Sequence, residues 1–407
     1  MCRLRNRLTA PLLAAATWAA LGCGDESQPP TGPGETDGPS AASSAVAAAA
    51  TSPLQFNQVS AGGRFTCGIT TAGRAFCWGI NFAGQLGDGT IGNSRSRPVA
   101  VATSLRFRQI TTGFYHTCAV TTDDLAYCWG DNSGGQLGDK TTTSRPTPVR
   151  VLGGHKFRNV RAGYSATCGV ATTGESYCWG TNLYGEIGDN TLINRLVPRL
   201  VRGGHSFRRI VAGSGYACGV TTADKAYCWG RNEWGQLGDG TTTERLLPTP
   251  VAGSRAFKNV SANSTHTCGL TTGGAAYCWG NNSDGALGDG TTTNRTRPVL
   301  ARTTGTLDGV SPGSSHSCAL RNDGRVLCWG SNQLGTVGDA TTITPRLLPV
   351  QVVGDANYDA IHAGFAHTCG LTVDHFALCW GGNEYGQLGR GYASRKEGVP
   401  QGVEPPL

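Results

Sequence analysis

"FRQITTGFYHTCAVTTDDLAYCWGDNSGGQLGDKTTTSRPTPVRV", Phe107 to Val151, contains short runs of strand-forming residues and no helical period. "RQITTG" reads as a first strand, "HTCAV" as a second, "LAYCWG" as a third and "TPVRV", after Pro146, as a fourth. Gly, Asn, Asp, Ser and Thr fill the spaces between them, as turns require. A small sheet of this kind has two faces to bury and cannot stand alone in water.

The neighbours it needs are in the same chain. The tripeptide CWG begins at Cys77, Cys128, Cys178, Cys228, Cys278, Cys328 and Cys379, at spacings of 51, 50, 50, 50, 50 and 51. A fixed period of this size means a solenoid or a propeller. Antiparallel strands in every copy favour the propeller, because a closed ring covers each sheet and leaves few exposed edges. The sequence therefore predicts an all-β fold over residues 53–407, a seven-bladed β-propeller of four-stranded antiparallel blades. The composition agrees: 61 Gly and only 15% charged residues in 407.

"GFYHTCAV" (113–120) followed by "YCWGDNSGGQLGD" (127–139) resembles the repeat of the regulator of chromosome condensation family. That pattern is a Gly, a His, a small residue before Leu or Val, then WG, an Asn and GQLG. The resemblance runs through all seven copies and implies the same propeller. It implies less about the task, since one fold hosts unrelated functions. The family's founding activity is nucleotide exchange on a small GTPase, but evenly spaced copies leave no room for an inserted wedge.

Each copy carries one cysteine pair ten residues apart: Cys67 and Cys77, Cys118 and Cys128, Cys168 and Cys178, Cys218 and Cys228, Cys268 and Cys278, Cys318 and Cys328, Cys369 and Cys379. The turn between them gives their register. A three-residue hairpin loop needs its third residue in the left-handed region. That place holds Gly73, Asp124, Gly174, Asp224, Gly274, Gly324 and, less suitably, His375. With loop 71–73, Ile69 faces Ala75 and Cys67 faces Cys77 in a non-hydrogen-bonded pair, with Cα atoms about 4.5 Å apart. Zinc sites use shorter cysteine spacings and would need two further ligands. Free thiols are the other rival. Complete pairing and an export signal favour seven disulfides.

Residues 1–22 read as that signal. Arg3, Arg5 and Arg7 precede an apolar run from Leu8 to Leu21, and "AALGC" resembles a lipoprotein cleavage site with Cys23 as the acylated residue. Leu commonly stands three places before such a cysteine, and Ala20 is there instead. Residues 23–52 are a Pro, Gly, Ser and Ala-rich tether. The expected location is the cell envelope or the exterior, with membrane contact only through the anchor. The net charge of +7 loses three arginines with the signal. No basic run remains, so nucleic acid is not implied.

Other recurring residues read as structure. His116, His266, His316 and His367 precede the first cysteine, but Phe65, Ala166 and Tyr216 replace them in three copies. The Trp of CWG fills the gap to the next blade, and the Asp of GQLGD orders its loop through nearby amides. No cofactor, metal site or catalytic constellation is expected.

Variable loop positions carry the functional expectation. Strand alternation brings the loops between strands one and two, and between three and four, to one face. Phe65, Phe82, Phe114, Tyr115, Tyr164, Tyr184, Tyr216, Trp234, Phe365 and Tyr385 form an aromatic arc there over copies 7 and 1–4. The reading is a monomeric, non-enzymatic scaffold that binds a macromolecule, most simply a protein, through that arc. Exchange-factor activity and an enzyme acting on envelope polysaccharide are the alternatives.

Overall fold

The computed structural model describes residues 53–406; the expected signal and tether, with Cys23, fall outside them. Within them, 28 strands form seven four-stranded antiparallel sheets. Each sheet takes its strands from one copy, in chain order. Copy 1 supplies an inner strand, Phe56–Ala61, then Phe65–Thr70, Ala75–Gly79 and an outer strand, Arg95–Ala100. In copy 2 the outer strand is Arg145–Arg150. It begins just before Pro146, because Arg145 pairs with Gly130 and its side chain is tied to Asp139.

The last copy supplies its own fourth strand, Ser394–Gly402, beside Ala377–Asn383. No strand is exchanged to close the ring. Copy 7 meets copy 1 side by side, through Phe56 N–H to the His375 carbonyl at 2.8 Å and Phe365 N–H to the Gly62 carbonyl at 3.0 Å.

The hairpin register is as the turn residues predict. Ile69 faces Ala75 and Cys67 faces Cys77. The third loop residue is left-handed in every copy, from Asp224 at φ 61° to Gly174 at 96°, with His375 at 68°. All seven cysteine pairs are disulfides, with Cα atoms 4.0–4.1 Å apart. Each closes a short loop and contributes about 2–3 kcal/mol. They staple single blades and do not join neighbours.

Apolar packing joins neighbours instead. Seven core clusters lie one to a seam. In the first, the Cys67–Cys77 bridge and Phe65 of blade 1 meet Phe107, Ile110 and Trp129 of blade 2. All seven CWG tryptophans are fully buried. Six of them donate their indole N–H to a backbone carbonyl of the preceding blade, as Trp129 does to Gln85 at 3.0 Å. Gly87 sits beneath that indole; a Cβ there would lie 2.6 Å from Nε1, and its φ is +72°. This is the physical need behind the second Gly of GQLG.

The histidines are seam residues too. His116, His266, His316 and His367 place Nε2 2.8–2.9 Å from Thr167, Ser317, Thr368 and Thr66 of the next blade. Each hydroxyl donates its one proton to a carbonyl, as Thr66 does to Gln387. The imidazole must therefore donate through Nε2. Burial holds these rings down to about 3–4, so they are neutral. Where copy 3 has Ala166, the facing hydroxyl is also gone and the next blade has Ala217.

The loop Asp has a larger role than bonding amides. Asp289 Oδ1 accepts from the Thr291 N–H and hydroxyl, and Oδ2 accepts from Arg295 of the outer strand at 2.7–2.9 Å. The same unit recurs with Asp88, Asp139, Asp189, Asp239 and Asp339. Burial alone would raise these carboxyls; the threonine bonds and the arginine outweigh it and hold them below the usual range. Copy 7 has Arg390 at the Asp place, paired instead with Glu404.

Candidate functional site

The inner strands surround a central channel, and the two loop types meet around one of its mouths. Phe114 is the centre of that mouth. Its ring stacks on Tyr164 at 4.2 Å and meets Tyr115 and Phe365 edge-on at 4.4 and 5.1 Å. This group brings together copies 2, 3 and 7. Farther out, Phe82 meets Tyr385 edge-on at 5.9 Å, and the Arg64 guanidinium lies 5.4 Å from the Tyr385 ring centre. Arg64 also pairs with Glu384 at 3.1 Å. The Tyr184 ring packs on Gly215, with Arg231 over it at 5.2 Å. Trp234 stands apart, 38% exposed.

Two members of the expected arc are not on this face. Phe65 and Tyr216 are fully buried. Both occupy the histidine place, where the chain has already entered its second strand and the side chain points into the seam. Tyr216 takes the histidine's place at the seam: its hydroxyl donates to the His266 carbonyl at 2.7 Å and lies 3.1 Å from the Thr267 hydroxyl, whose own proton goes to the Gln236 carbonyl at 2.9 Å. One exposed member was missed. Leu183 is 65% exposed in copy 3, at the motif position that holds Phe82 in copy 1. That shared position is the signal that finds it.

Below the aromatic mouth the channel has a volume of about 340 Å³. Inner-strand side chains at its wall mostly bond the next blade's backbone: Gln58 to Ile110, Gln109 to Val160, Thr111 to Ala162 and Ser311 to Ala363. Arg161, Arg209 and His362 also line it. Burial, and then the charge of Arg209, push Arg161 down to about 9, still charged at neutral pH. Burial, then Arg161 and Arg209, push His362 down to about 4, where it is neutral.

Comparison with known proteins places this architecture. The RCC1-like domain model matches residues 13–308, and the regulator of chromosome condensation (RCC1) repeat matches 309–336 and 359–387. The chain belongs to the RCC1-like domain family. Among solved structures, this RCC1-like propeller is similar to yeast RCC1 (Prp20) in its complex with Kap60, at TM-score 0.74 and 20% identity over 86% of this chain and 85% of that one. Human WBSCR16 gives 0.73 and 19% over 81% and 93%. The likeness is one of fold. Curated relatives match over single stretches. A probable human E3 ubiquitin-protein ligase, HERC6, is 35% identical over 82 residues, and Arabidopsis thaliana RUG3, a mitochondrial RCC1 domain-containing protein, 38% over 81. Each stretch is 20% of this chain, which covers 8% and 18% of those two proteins.

Proposed function

We propose that this RCC1-like propeller is a non-enzymatic binding scaffold, exported and held at a membrane through Cys23, that engages a protein with its aromatic face. The carrying observation is the clustering of Phe114, Tyr115, Tyr164 and Phe365 around one mouth, with Phe82, Leu183 and Trp234 exposed around them. Rigid rings beside arginines are the composition of binding hot spots, and contiguous exposed apolar surface marks interaction sites. Seven disulfides suit an oxidising compartment. Capture of partners from envelope extracts tests the reading. Tyr164→Ala combined with Trp234→Ala should weaken capture at least tenfold, as hot-spot truncations do, with the melting temperature unchanged. Undiminished capture removes the face from the binding site.

A further inference from the structure

The channel wall contains two guanidinium groups that the framework does not use. Arg161 stands at the fifth place of its inner strand, where other copies have Ser60, Thr111, Val211, Ser261 and Ser311. Arg209 stands at the third place, where others have Gln58, Gln109, Asn159 and Asn259. A blade therefore forms without either cation. Among the described residues neither side chain has a hydrogen bond or an ion pair, and Arg209 Nε is buried without a partner. The nearest charges are unfavourable, since the two arginines repel each other. The acids that line the channel, Asp308 and Asp359, are exposed, and Asp308 faces Lys258 at 4.0 Å.

Half-buried charge without a protein partner is costly, and proteins retain it where it is used. Arginine forks match the paired oxygens of carboxylate and phosphate. Two cations call for a dianion rather than a carboxylate. His362, from blade 7, adds a neutral imidazole to the same wall. The volume is at the small end of ligand pockets. Rings of the aromatic group line the same channel: Arg161 is three residues before Tyr164 and His362 three before Phe365.

We propose that the central channel is a binding site for a small dianionic oxyanion, a phosphate group held between Arg161 and Arg209 and contacted by His362. The group belongs to free phosphate or to a small phosphate monoester.

Equilibrium dialysis of the full chain against inorganic phosphate and against glycerol 3-phosphate, at fixed chloride, tests this. One saturable site per chain is expected. Tighter binding of the ester identifies a monoester ligand, and equal or weaker binding identifies free phosphate. Arg161→Gln and Arg209→Gln should each weaken binding at least tenfold, since hydrogen bonds to charged groups are that strong. Both variants should melt higher than the parent in phosphate-free buffer, because the repulsion between the two unpaired arginines has been removed. Absence of saturable binding to the parent overturns the site, and so does unchanged affinity in both variants. Should a variant fail to fold, Arg161→Lys, which keeps the charge and loses the fork, serves in its place; parent-like affinity there also overturns the assignment.

Discussion

At the seam between blades 4 and 5, Trp279 donates to the Gln236 carbonyl at 2.9 Å above Gly238, and the same bond recurs with little variation at five other seams. Along the axis the copies agree less: the hydroxyls of Ser60, Thr111 and Ser311 accept from the next blade's backbone, and the other copies place different chemistry there. The fifth place of the inner strand reads Ser60, Thr111, Arg161, Val211, Ser261, Ser311 and His362. A seam repeats one packing geometry around the ring, so its residues are held nearly constant from copy to copy. An axial side chain meets a shared space, so each copy is free to contribute something different. Structure is repeated between blades, and individuality collects where the blades converge.

The largest test of that contrast removes a seam tryptophan. Trp279→Ala should cost about 3–5 kcal/mol, the penalty for deleting a fully buried ring, read by denaturant unfolding with the disulfides intact. A loss below 1 kcal/mol would mean that the seams are not where the ring is held.

The next test repairs a seam that departs from the pattern. Glu186 stands where four copies have glutamine, and burial pushes its carboxyl up to about 7 despite the bond it accepts from the Tyr184 N–H. The folded state prefers the neutral acid. Below pH 4.5 both states are protonated and there is no penalty. As pH rises from 4.5 to 7 the unfolded chain ionises and the fold loses stability, about 3 kcal/mol in full. Glu186→Gln should therefore stabilise the protein above pH 7 and leave it unchanged at pH 4. A gain independent of pH would rule out this carboxyl as its cause.

The smallest test compares two seams. Trp78, at the closing seam, is the one CWG tryptophan whose buried indole N–H has no partner. Trp279→Phe loses a hydrogen bond and Trp78→Phe does not. The first should cost about 1 kcal/mol more than the second, measured as a difference in unfolding free energy. Equal costs would show that the indole bonds contribute nothing at the seams.

The division between what the sequence reveals and what it hides follows the same line. The hairpin register was legible because Gly73 and its counterparts announce a left-handed turn, and the register then pairs Cys67 with Cys77 without any long-range information. The Asp of GQLGD was legible as a loop organiser, while its partner, Arg95 in copy 1, was overlooked although it recurs with the same period. Phe65 and Tyr216 were misplaced because the boundary between loop and strand falls one residue earlier than the aromatic pattern suggests, and a single step along a strand reverses the face. The meeting of Arg161, Arg209 and His362 had no local sign. The three come from blades 3, 4 and 7, and only closure of the ring brings them together.

The manner of that closure bears on the history of the chain. Because copy 7 finishes its own sheet with Ser394–Gly402, the join with copy 1 is one more seam, not a clasp. Every seam of the propeller is then an equivalent place at which the ring could be opened. A circularly permuted gene that opened between any two copies would encode the same wheel. Duplication or deletion of a whole repeat would leave every surviving unit complete.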